Sequence, residues 1–330
     1  MSDLAPLATV FGGSGFVGRY VTQRLARAGW RVRVAVRRPN EALFVRPYGV
    51  VGQVEPVQAN IRDEASTRRA IAGAAVVVNC VGILVEEGRQ RFDAVQDEGA
   101  GRVARIAAEE GVERLVHISA IGADPAGPSA YARSKAAGEA AVQAAFPTAV
   151  ILRPSIIFGP EDGFFNRIAG LAQMLPVVPV FGPETRFQPV YVDDVAAAAV
   201  AAATGEVRPG IYELGGPEVA SFRELAGEVL HLIERRRMVV AVPWPIARLK
   251  ARVCDVVQRA SFGIVTNRLI TADQVLMLQR DNVVAEGARG FADLGIVPTP
   301  MEAVLESYLY AYRRHGQFRA SDTTLQAVGD

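Results

Sequence analysis

The stretch LATVFGGSGFVG, residues 7–18, joins an apolar run to a helix start through a glycine-rich turn. Its glycines Gly12, Gly15 and Gly18 follow a GxxGxxG spacing, which is typical of a dinucleotide-binding turn between a strand and a helix. Glycine lets the backbone approach a pyrophosphate, whose charge then meets a helix N-terminus carrying about half a positive charge. The predicted contacts are Gly12, Ser14, Gly15, Phe16, Val17 and Gly18. The alternative is a flexible turn without a ligand.

Around this turn, short β-branched runs alternate with segments that carry apolar residues at helical spacing. The predicted strands are Leu7–Phe11, Arg31–Val36, Val54–Gln58, Val76–Val81, Arg114–Ile118 and Ala149–Pro154. Such alternation predicts an α/β fold, a Rossmann-type doubly wound parallel sheet, over residues 1–155. Glycines and prolines punctuate the chain afterwards, so residues 156–330 are predicted to form a smaller α/β C-terminal lobe, with strands returning to the sheet from about 186–215.

Composition narrows the class of protein. Half of the 330 residues are apolar, and 36 Lys and Arg nearly balance 35 Asp and Glu, so no global field favours nucleic acid as a partner. Cys80 and Cys254 lack a CxxC or Cys/His cluster, which predicts no metal site and fits a reducing compartment. We find neither an apolar run of about 18 residues nor a signal peptide, and expect a bacterial cytoplasmic protein or a processed organellar one.

The end of the second predicted strand bears on the choice between NAD and NADP, because an acidic side chain there binds the ribose 2′-hydroxyl of NAD. This chain reads Val36-Arg37-Arg38-Pro39 at that point, and Arg19 directly follows the glycine motif. Arg19, Arg37 and Arg38 are therefore candidates to bind a 2′-phosphate. Charge-assisted hydrogen bonds of about 1.5 to 3 kcal/mol each would favour NADPH over NADH by about tenfold or more. The alternative is a solvated strand end.

Residues that follow the other strands of a doubly wound sheet face the same crevice. The further predicted cofactor contacts are Asn60 and Ile61 after the third strand, Cys80, Val81 and Gly82 after the fourth, and Pro154 at the end of the sixth. Asp63 is a weaker candidate, since its carboxylate could meet the adenine.

A YxxxK pattern, Tyr131 to Lys135, stands at the predicted start of a helix and places two side chains one turn apart on one face. In a reductase such a tyrosine transfers a proton near pH 7, although its unperturbed pKa is about 10, and a neighbouring ammonium favours the phenolate. Tyr131, Lys135 and Ser119 are therefore candidate catalytic residues, and the first two are also candidate cofactor contacts. Asp193 and Asp194 are either catalytic carboxylates or caps of the helix that follows.

The glycine motif, the YxxxK pattern, Leu152-Arg153-Pro154 and the run Val190–Val195 together resemble the extended and atypical short-chain dehydrogenase/reductase family over about residues 5–230. Tyr131 follows Ser119 by only twelve positions, closer than in the sugar-nucleotide epimerases of that family, so the loop that would present a substrate is short. Asn60 also stands where an acidic residue is usual. These departures favour cofactor binding over turnover.

The runs Ile270–Val284 and Phe291–Ile296, with Lys135–Glu139 and Phe158–Asp162, are similar to the NADPH-binding accessory subunits of respiratory complex I over nearly the whole chain. That resemblance implies a structural NADPH and docking on other complex I subunits near the membrane and quinone site. It implies a location at the cytoplasmic face of the bacterial inner membrane, or at the matrix side in mitochondria. Two functions stay open beside it: an NADPH-dependent reductase or sugar-nucleotide epimerase/dehydratase, and an NADPH redox sensor.

Residues 235–268 are strongly basic in an otherwise neutral protein. Against only Glu234 and Asp255, this region carries eight basic residues: Arg235, Arg236, Arg237, Arg248, Lys250, Arg252, Arg259 and Arg268. Apolar residues at helical spacing follow Pro243-Trp244-Pro245, which predicts a basic amphipathic helix. Such a helix would suit anionic lipid or an acidic partner subunit; the alternative is the solvated face of a core helix.

Overall fold

A large parallel sheet dominates the computed structural model, in which residues 5–245, 271–314 and 316 are described. The strands are β1 (Leu7–Phe11), β2 (Arg31–Val36), β3 (Val54–Gln58), β4 (Val76–Asn79), β5 (Arg114–Ile118), β6 (Val150–Pro154), β7 (Ile157–Phe158), β8 (Val177–Phe181), β9 (Arg186–Phe187), β10 (Val190–Tyr191), β11 (Gly210–Leu214), β12 (Ala220–Ser221) and β13 (Met238–Val242). Seven of them form the sheet in the order β3-β2-β1-β4-β5-β6-β11. This doubly wound order confirms the predicted Rossmann-type fold.

Helices cover both faces of the sheet. They are α1 (Phe16–Arg27), α2 (Glu64–Ile71), α3 (Glu98–Glu109), α4 (Ala130–Ala145), α5 (Phe165–Met174), α6 (Val192–Thr204), α7 (Phe222–Leu232), α8 (Ala272–Met277) and α9 (Glu302–Leu309). Helical segments that are not α-helical lie at Pro39–Tyr48, Asp93–Asp97, Phe291–Leu294 and Tyr310–Tyr312. Leu25 of α1 and Val195 of α6 are buried on one face, and Ile106 of α3 and Val142 of α4 on the other. Each such burial contributes about 1.5–3 kcal/mol.

Asp193 and Asp194 serve as tertiary contacts of α6. Asp193 accepts two hydrogen bonds from Arg24 of α1, at 2.6 and 2.8 Å, and Asp194 accepts from the Thr299 backbone N–H at 2.6 Å. The N-cap of α6 is Tyr191, and no side chain caps the helix. The prediction that these aspartates cap it was therefore wrong, because both carboxylates are drawn to partners distant in sequence.

The C-terminal half builds a second apolar core. Phe158, Phe165, Leu225 and Leu305 are among its buried members, and β8 pairs with β13 in parallel beside it. The chain returns to the large sheet as β11, which pairs with β6. Among the described helices, none combines the length and the hydropathy needed to span a bilayer.

Residues 271–289, which we call the crossing segment, run back across the end of β6 towards β9. Ser155 Oγ donates to Asn282 Oδ1 at 2.7 Å, and Gln188 N donates to the Asn282 carbonyl at 3.1 Å. Asp281 accepts from Arg186 N and Nε at 2.9 and 2.8 Å. The crossing segment therefore lies over the carboxyl end of the sheet, the edge at which doubly wound folds bind ligands.

Candidate dinucleotide site

The turn between β1 and α1 has the backbone shape expected of a pyrophosphate site. Gly12 has a φ of +72°, a left-handed conformation that residues with a Cβ rarely adopt. Its N–H donates to the Ala35 carbonyl at 2.9 Å, and its own carbonyl accepts from Gly15 N at 2.8 Å. The first bond holds the turn against the end of β2, and the second closes the turn itself.

Gly18 allows α1 to come very close to that turn. A Cβ on Gly18 would overlap with the Gly12 carbonyl oxygen and would lie 2.7 Å from the Gly13 Cα. Gly15 is the N-cap of α1, and no side chain caps the helix there. The first-turn N–H groups, from Phe16 onwards, are thus available to an anion at the positive end of the helix, with Ser14 and Val17 in the same turn.

Arg19, just beyond the glycine motif, has an engaged guanidinium. Its Nη1 donates to Glu161 Oε1 at 3.0 Å, and its Cζ lies 5.1 Å from the centre of the Phe44 ring. Glu161 Oε2 accepts from the Tyr20 hydroxyl at 3.0 Å; burial and this hydrogen bond raise the pKa of Tyr20. Glu161 therefore holds Arg19 beside the segment that follows β2.

Arg37 and Arg38 are exposed at the end of β2. Arg38 Nη1 lies 3.0 Å from Glu41 Oε1, with both side chains largely in solvent. The Arg37 side chain makes no hydrogen bond or ion pair within the described part of the chain. Since an exposed ion pair contributes at most about 1 kcal/mol, both guanidinium groups can turn to an anion at little cost.

The predicted cofactor contacts after β3 make hydrogen bonds or packing contacts within the protein. Asn60 Oδ1 accepts from Arg62 N at 3.2 Å, and Ile61 is buried. Asp63 is the N-cap of α2 and accepts from Ser66 N at 2.8 Å; its hydrogen bonds with Ser66 lower its pKa. In the structure, Asp63 is thus a helix cap.

The end of β4 lines the same crevice as the glycine turn. A Cβ on Gly12 would lie 3.3 Å from Val81 Cγ2 and 3.4 Å from the Cys80 carbonyl carbon. Asn79 fixes this strand end: its Oδ1 accepts from Val81 N at 3.1 Å, and its Nδ2 lies 3.2 Å from His117 Nδ1. Burial raises the pKa of the Cys80 thiol to about 12, so the thiol is protonated at neutral pH.

Tyr131 and Lys135 meet on one face of α4, as the YxxxK spacing predicts. Lys135 Nζ lies 5.9 Å from the centre of the Tyr131 ring, donates to the Ile118 carbonyl at 3.2 Å, and would lie 3.4 Å from a Cβ on Gly82. Burial lowers the pKa of Lys135 to about 8 and raises the pKa of Tyr131. The phenol therefore stays protonated near neutral pH, in contrast to the phenolate that the ammonium was expected to favour.

Ser119 stands apart from this pair. Its hydroxyl donates to Glu139 Oε1, and Glu139 is held by Arg153 through bonds of 2.9 and 2.6 Å. The structure brings the tyrosine and the lysine together, but it does not join Ser119 to either by a hydrogen bond. A catalytic role for Ser119 stays a prediction, and this geometry does not favour it.

Pro154 is buried at the end of β6, where its carbonyl accepts from Ile121 N at 3.0 Å. The Ile121 carbonyl in turn accepts from Asn282 Nδ2 at 3.4 Å. The predicted contact at this strand end thus lies beside the crossing segment.

Sequence reasoning missed the contact between the crossing segment and α4. Asp273 Oδ1 accepts from Ala130 N at 2.6 Å, and its Oδ2 accepts from Tyr131 N at 3.0 Å. Since the partners lie 142 residues apart, no local pattern could reveal this bond. The one available signal was the run Ile270–Val284, which contains Asp273 and carries part of the resemblance to complex I subunits.

The sequence model of the NAD dependent epimerase/dehydratase family matches residues 8–215, which contain the large sheet and most of the candidate site. The chain therefore belongs to this family. The solved structure of gox2253 aligns with a TM-score of 0.68 at 23% identity, covering 95% of this chain and 99% of that one. The Bordetella bronchiseptica enzyme WbmH, in complex with NAD+, aligns with a TM-score of 0.65 at 16% identity, covering 94% and 99%. Identities this low establish the fold alone.

Closer relatives match nearly the whole chain. NADH dehydrogenase [ubiquinone] 1 alpha subcomplex subunit 9, mitochondrial, from Arabidopsis thaliana is 36% identical over 316 residues, covering 94% of this chain and 79% of that protein. The subunit 9 protein of Rattus norvegicus is 33% identical over 317 residues, covering 95% of this chain and 81% of that protein. The similarity to both subunit 9 proteins extends past residue 215 into the C-terminal half. The ceramide reductase of Caulobacter vibrioides is 32% identical over 246 residues, covering 74% of this chain and 76% of that protein.

Proposed function

We propose that this chain is an accessory subunit of a respiratory NADH:quinone oxidoreductase, and that it holds NADPH on its Rossmann-type domain without turnover. The observation that carries the proposal is the similarity to subunit 9 proteins over 94% of the chain. Its partners would be other subunits of that complex. Its place would be peripheral, on the cytoplasmic face of a bacterial inner membrane or the matrix side of a mitochondrial one.

Three features of the site support retention without turnover. Burial raises the pKa of the Tyr131 phenol, so it is a weak proton donor as well as being protonated at neutral pH. The Ser119 hydroxyl is committed to Glu139 and is not free to orient a carbonyl. Asp273 accepts from the backbone N–H of Tyr131 and so restrains the turn that carries the phenol. The first two features oppose proton transfer to a bound carbonyl, and the third restrains movement of Tyr131.

The basic residues at the end of β2 support NADPH as the nucleotide, and their removal tests this. Replacing Arg37 and Arg38 together with alanine should lower the preference for NADPH over NADH by at least about tenfold, because charge-assisted bonds to the 2′-phosphate are lost. Calorimetric titration with both nucleotides measures the ratio. Arg46→Ala, an exposed arginine in the turn that follows, is the matched control. Unchanged selectivity in the double variant would place the 2′-phosphate elsewhere.

NADPH affinity should weaken as the pH rises above about 8. Burial lowers the pKa of Lys135 to about 8 in the protein without a nucleotide. An anionic nucleotide in the crevice raises that pKa again, so binding above pH 8 takes up a proton. The Kd should be constant at lower pH and rise by up to about tenfold per pH unit beyond the break. Fluorescence titrations from pH 6 to 9.5 measure it; Lys135→Met should bind more weakly with a flat profile, and a wild-type profile without a break would contradict the assignment.

The smaller lobe offers a surface that supports membrane or subunit docking. In the described part of the basic segment, Arg236 is exposed, whereas Arg235 and Arg237 donate to backbone carbonyls. Met238 and Met174 are 71% and 77% exposed near them. The other five basic residues and the predicted amphipathic helix lie outside the described residues. Exposed apolar side chains beside basic ones suit anionic lipid headgroups or an acidic subunit.

Purification from the native host under mild conditions tests the proposal. Mass spectrometry should find respiratory-chain subunits with the chain, and about one NADPH per chain on denaturation.

The relationship to a ceramide reductase favours a second candidate, an NADPH-dependent reductase. A solitary protein with exchangeable cofactor, which oxidises NADPH when a ketone is added, would support that reductase instead. For a redox sensor, equal affinity for NADPH and NADP would exclude the role.

A further inference from the structure

Asp273 is anchored firmly within the crossing segment. It lies in the first turn of α8, whose start is fixed by a capping box between Thr271 and Gln274. Val275, two residues further on, is fully buried and packs with Trp244 and other apolar side chains of the smaller lobe. Although α8 has only six residues, its position is therefore set by both capping and burial.

The N-terminus of α4 receives two acceptor groups. Ser129, the N-cap, accepts from Ala132 N at 3.0 Å, and Asp273 accepts from the N–H groups of Ala130 and Tyr131. A carboxylate at this end also interacts favourably with the helix dipole. Because the YxxxK side chains extend from the first two turns, the position of this end determines where Lys135 Nζ meets the cofactor crevice.

The crossing segment also holds the loop that leads into α4. Arg280 Nη1 lies 3.1 Å from Asp124 Oδ2, and Asn282 Nδ2 donates to the Ile121 carbonyl. Asn282 Oδ1 accepts from Ser155 Oγ as well. One segment thus binds the ends of β5 and β6 and the start of α4, the three places that would frame a substrate.

We propose that Asp273 is a positioning residue of the cofactor site, which fixes the first turn of α4 and with it the placement of Tyr131 and Lys135. The inference rests on the proposed function, since it takes NADPH as the ligand. It makes NADPH binding and the placement of the C-terminal lobe mutually dependent. By linkage, a partner that holds the lobe in place strengthens NADPH binding, and bound NADPH strengthens docking by the same factor.

Asp273→Asn tests this with little change of shape. The amide keeps one acceptor oxygen but loses the charge, so hydrogen exchange of the backbone amides in residues 130–135 should accelerate by about tenfold. The NADPH Kd should rise by about five- to tenfold, and the break in its pH profile should move above 8 as Lys135 becomes less buried. A residue with a merely structural role would lower the melting temperature without moving that break.

Asp281→Asn is the matched control, because it makes the same chemical change in the same segment, at a carboxylate that binds Arg186 and not α4. It should leave exchange in residues 130–135, the Kd and the pH break unchanged. Equal effects of the two variants, or unchanged exchange in Asp273→Asn, would overturn the inference. If hydrogen exchange is faster in Asp273→Asn but the wild-type chain retains no NADPH, Asp273 does position α4. The proposed function is then refuted, and with it the cofactor part of this inference.

Discussion

Gly18→Ala is expected to abolish tight NADPH binding while most of the fold survives. The new methyl group would overlap with the Gly12 carbonyl oxygen and approach the Gly13 Cα to 2.7 Å. Both are backbone atoms, so no rotamer change relieves the clash, and either α1 or the turn must move. The N–H groups that would bind the pyrophosphate then leave their places. Strain of about 1–3 kcal/mol and the loss of charge-assisted bonds together should raise the Kd at least about 100-fold.

Calorimetric titration with NADPH measures this loss, and thermal unfolding separates it from loss of the fold. Gly170→Ala is the matched control: Gly170 lies within α5, and a Cβ there would meet nothing within 4 Å. That variant should bind NADPH like the wild type and gain about 0.5–1 kcal/mol of stability. Binding by Gly18→Ala within about threefold of the wild type would show that the pyrophosphate lies away from the glycine turn.

The large sheet could be predicted because its signals are local. Each of its first six strands is a short contiguous stretch that contains β-branched residues, and Gly29 and Gly111 mark helix ends with φ values of +85° and +70°. The seventh strand is different. β11 joins the sheet by pairing with β6 across the whole of α5 and α6, and its five residues have no pattern of their own that fixes the partner. Sequence alone could only expect strands to return from about 186–215.

The candidate site likewise combines local features, which could be predicted from the sequence, with tertiary features, which could not. The glycine turn and the YxxxK pair could be predicted because helical and turn geometry follow from spacing. The direction of the Ser119 hydroxyl could not, since it depends on Glu139 being buried beside it. The raised pKa of Tyr131 is also a tertiary effect, because burial outweighs the ammonium one turn away. Asp273 reaches the site only because the crossing segment folds back over the sheet.

Arg153→Met is expected to lower the free energy of unfolding by about 3–5 kcal/mol, because it leaves a buried carboxylate without its partner. The Glu139 side chain is only 5% exposed, and Arg153 donates to both of its oxygens. Arg153 Nη1 also lies 3.4 Å from Glu213 Oε1, so the same guanidinium joins α4, β6 and β11. Methionine fills much of the vacated volume but supplies no donor.

Urea unfolding of Arg153→Met measures this loss, and Arg186→Met is its control. The Arg186–Asp281 pair has side chains 62% and 38% exposed, so breaking it should cost less than about 1 kcal/mol. Adding Glu139→Gln to Arg153→Met should recover more than half of the loss, because the neutral amide can still accept from Ser119 and needs no counter-charge. A loss in Arg153→Met no larger than in Arg186→Met would mean that water reaches Glu139. If the double variant Arg153→Met/Glu139→Gln regains stability but still binds NADPH weakly, the ion pair between Arg153 and Glu139 also positions α4 for the cofactor, in addition to stabilising the fold.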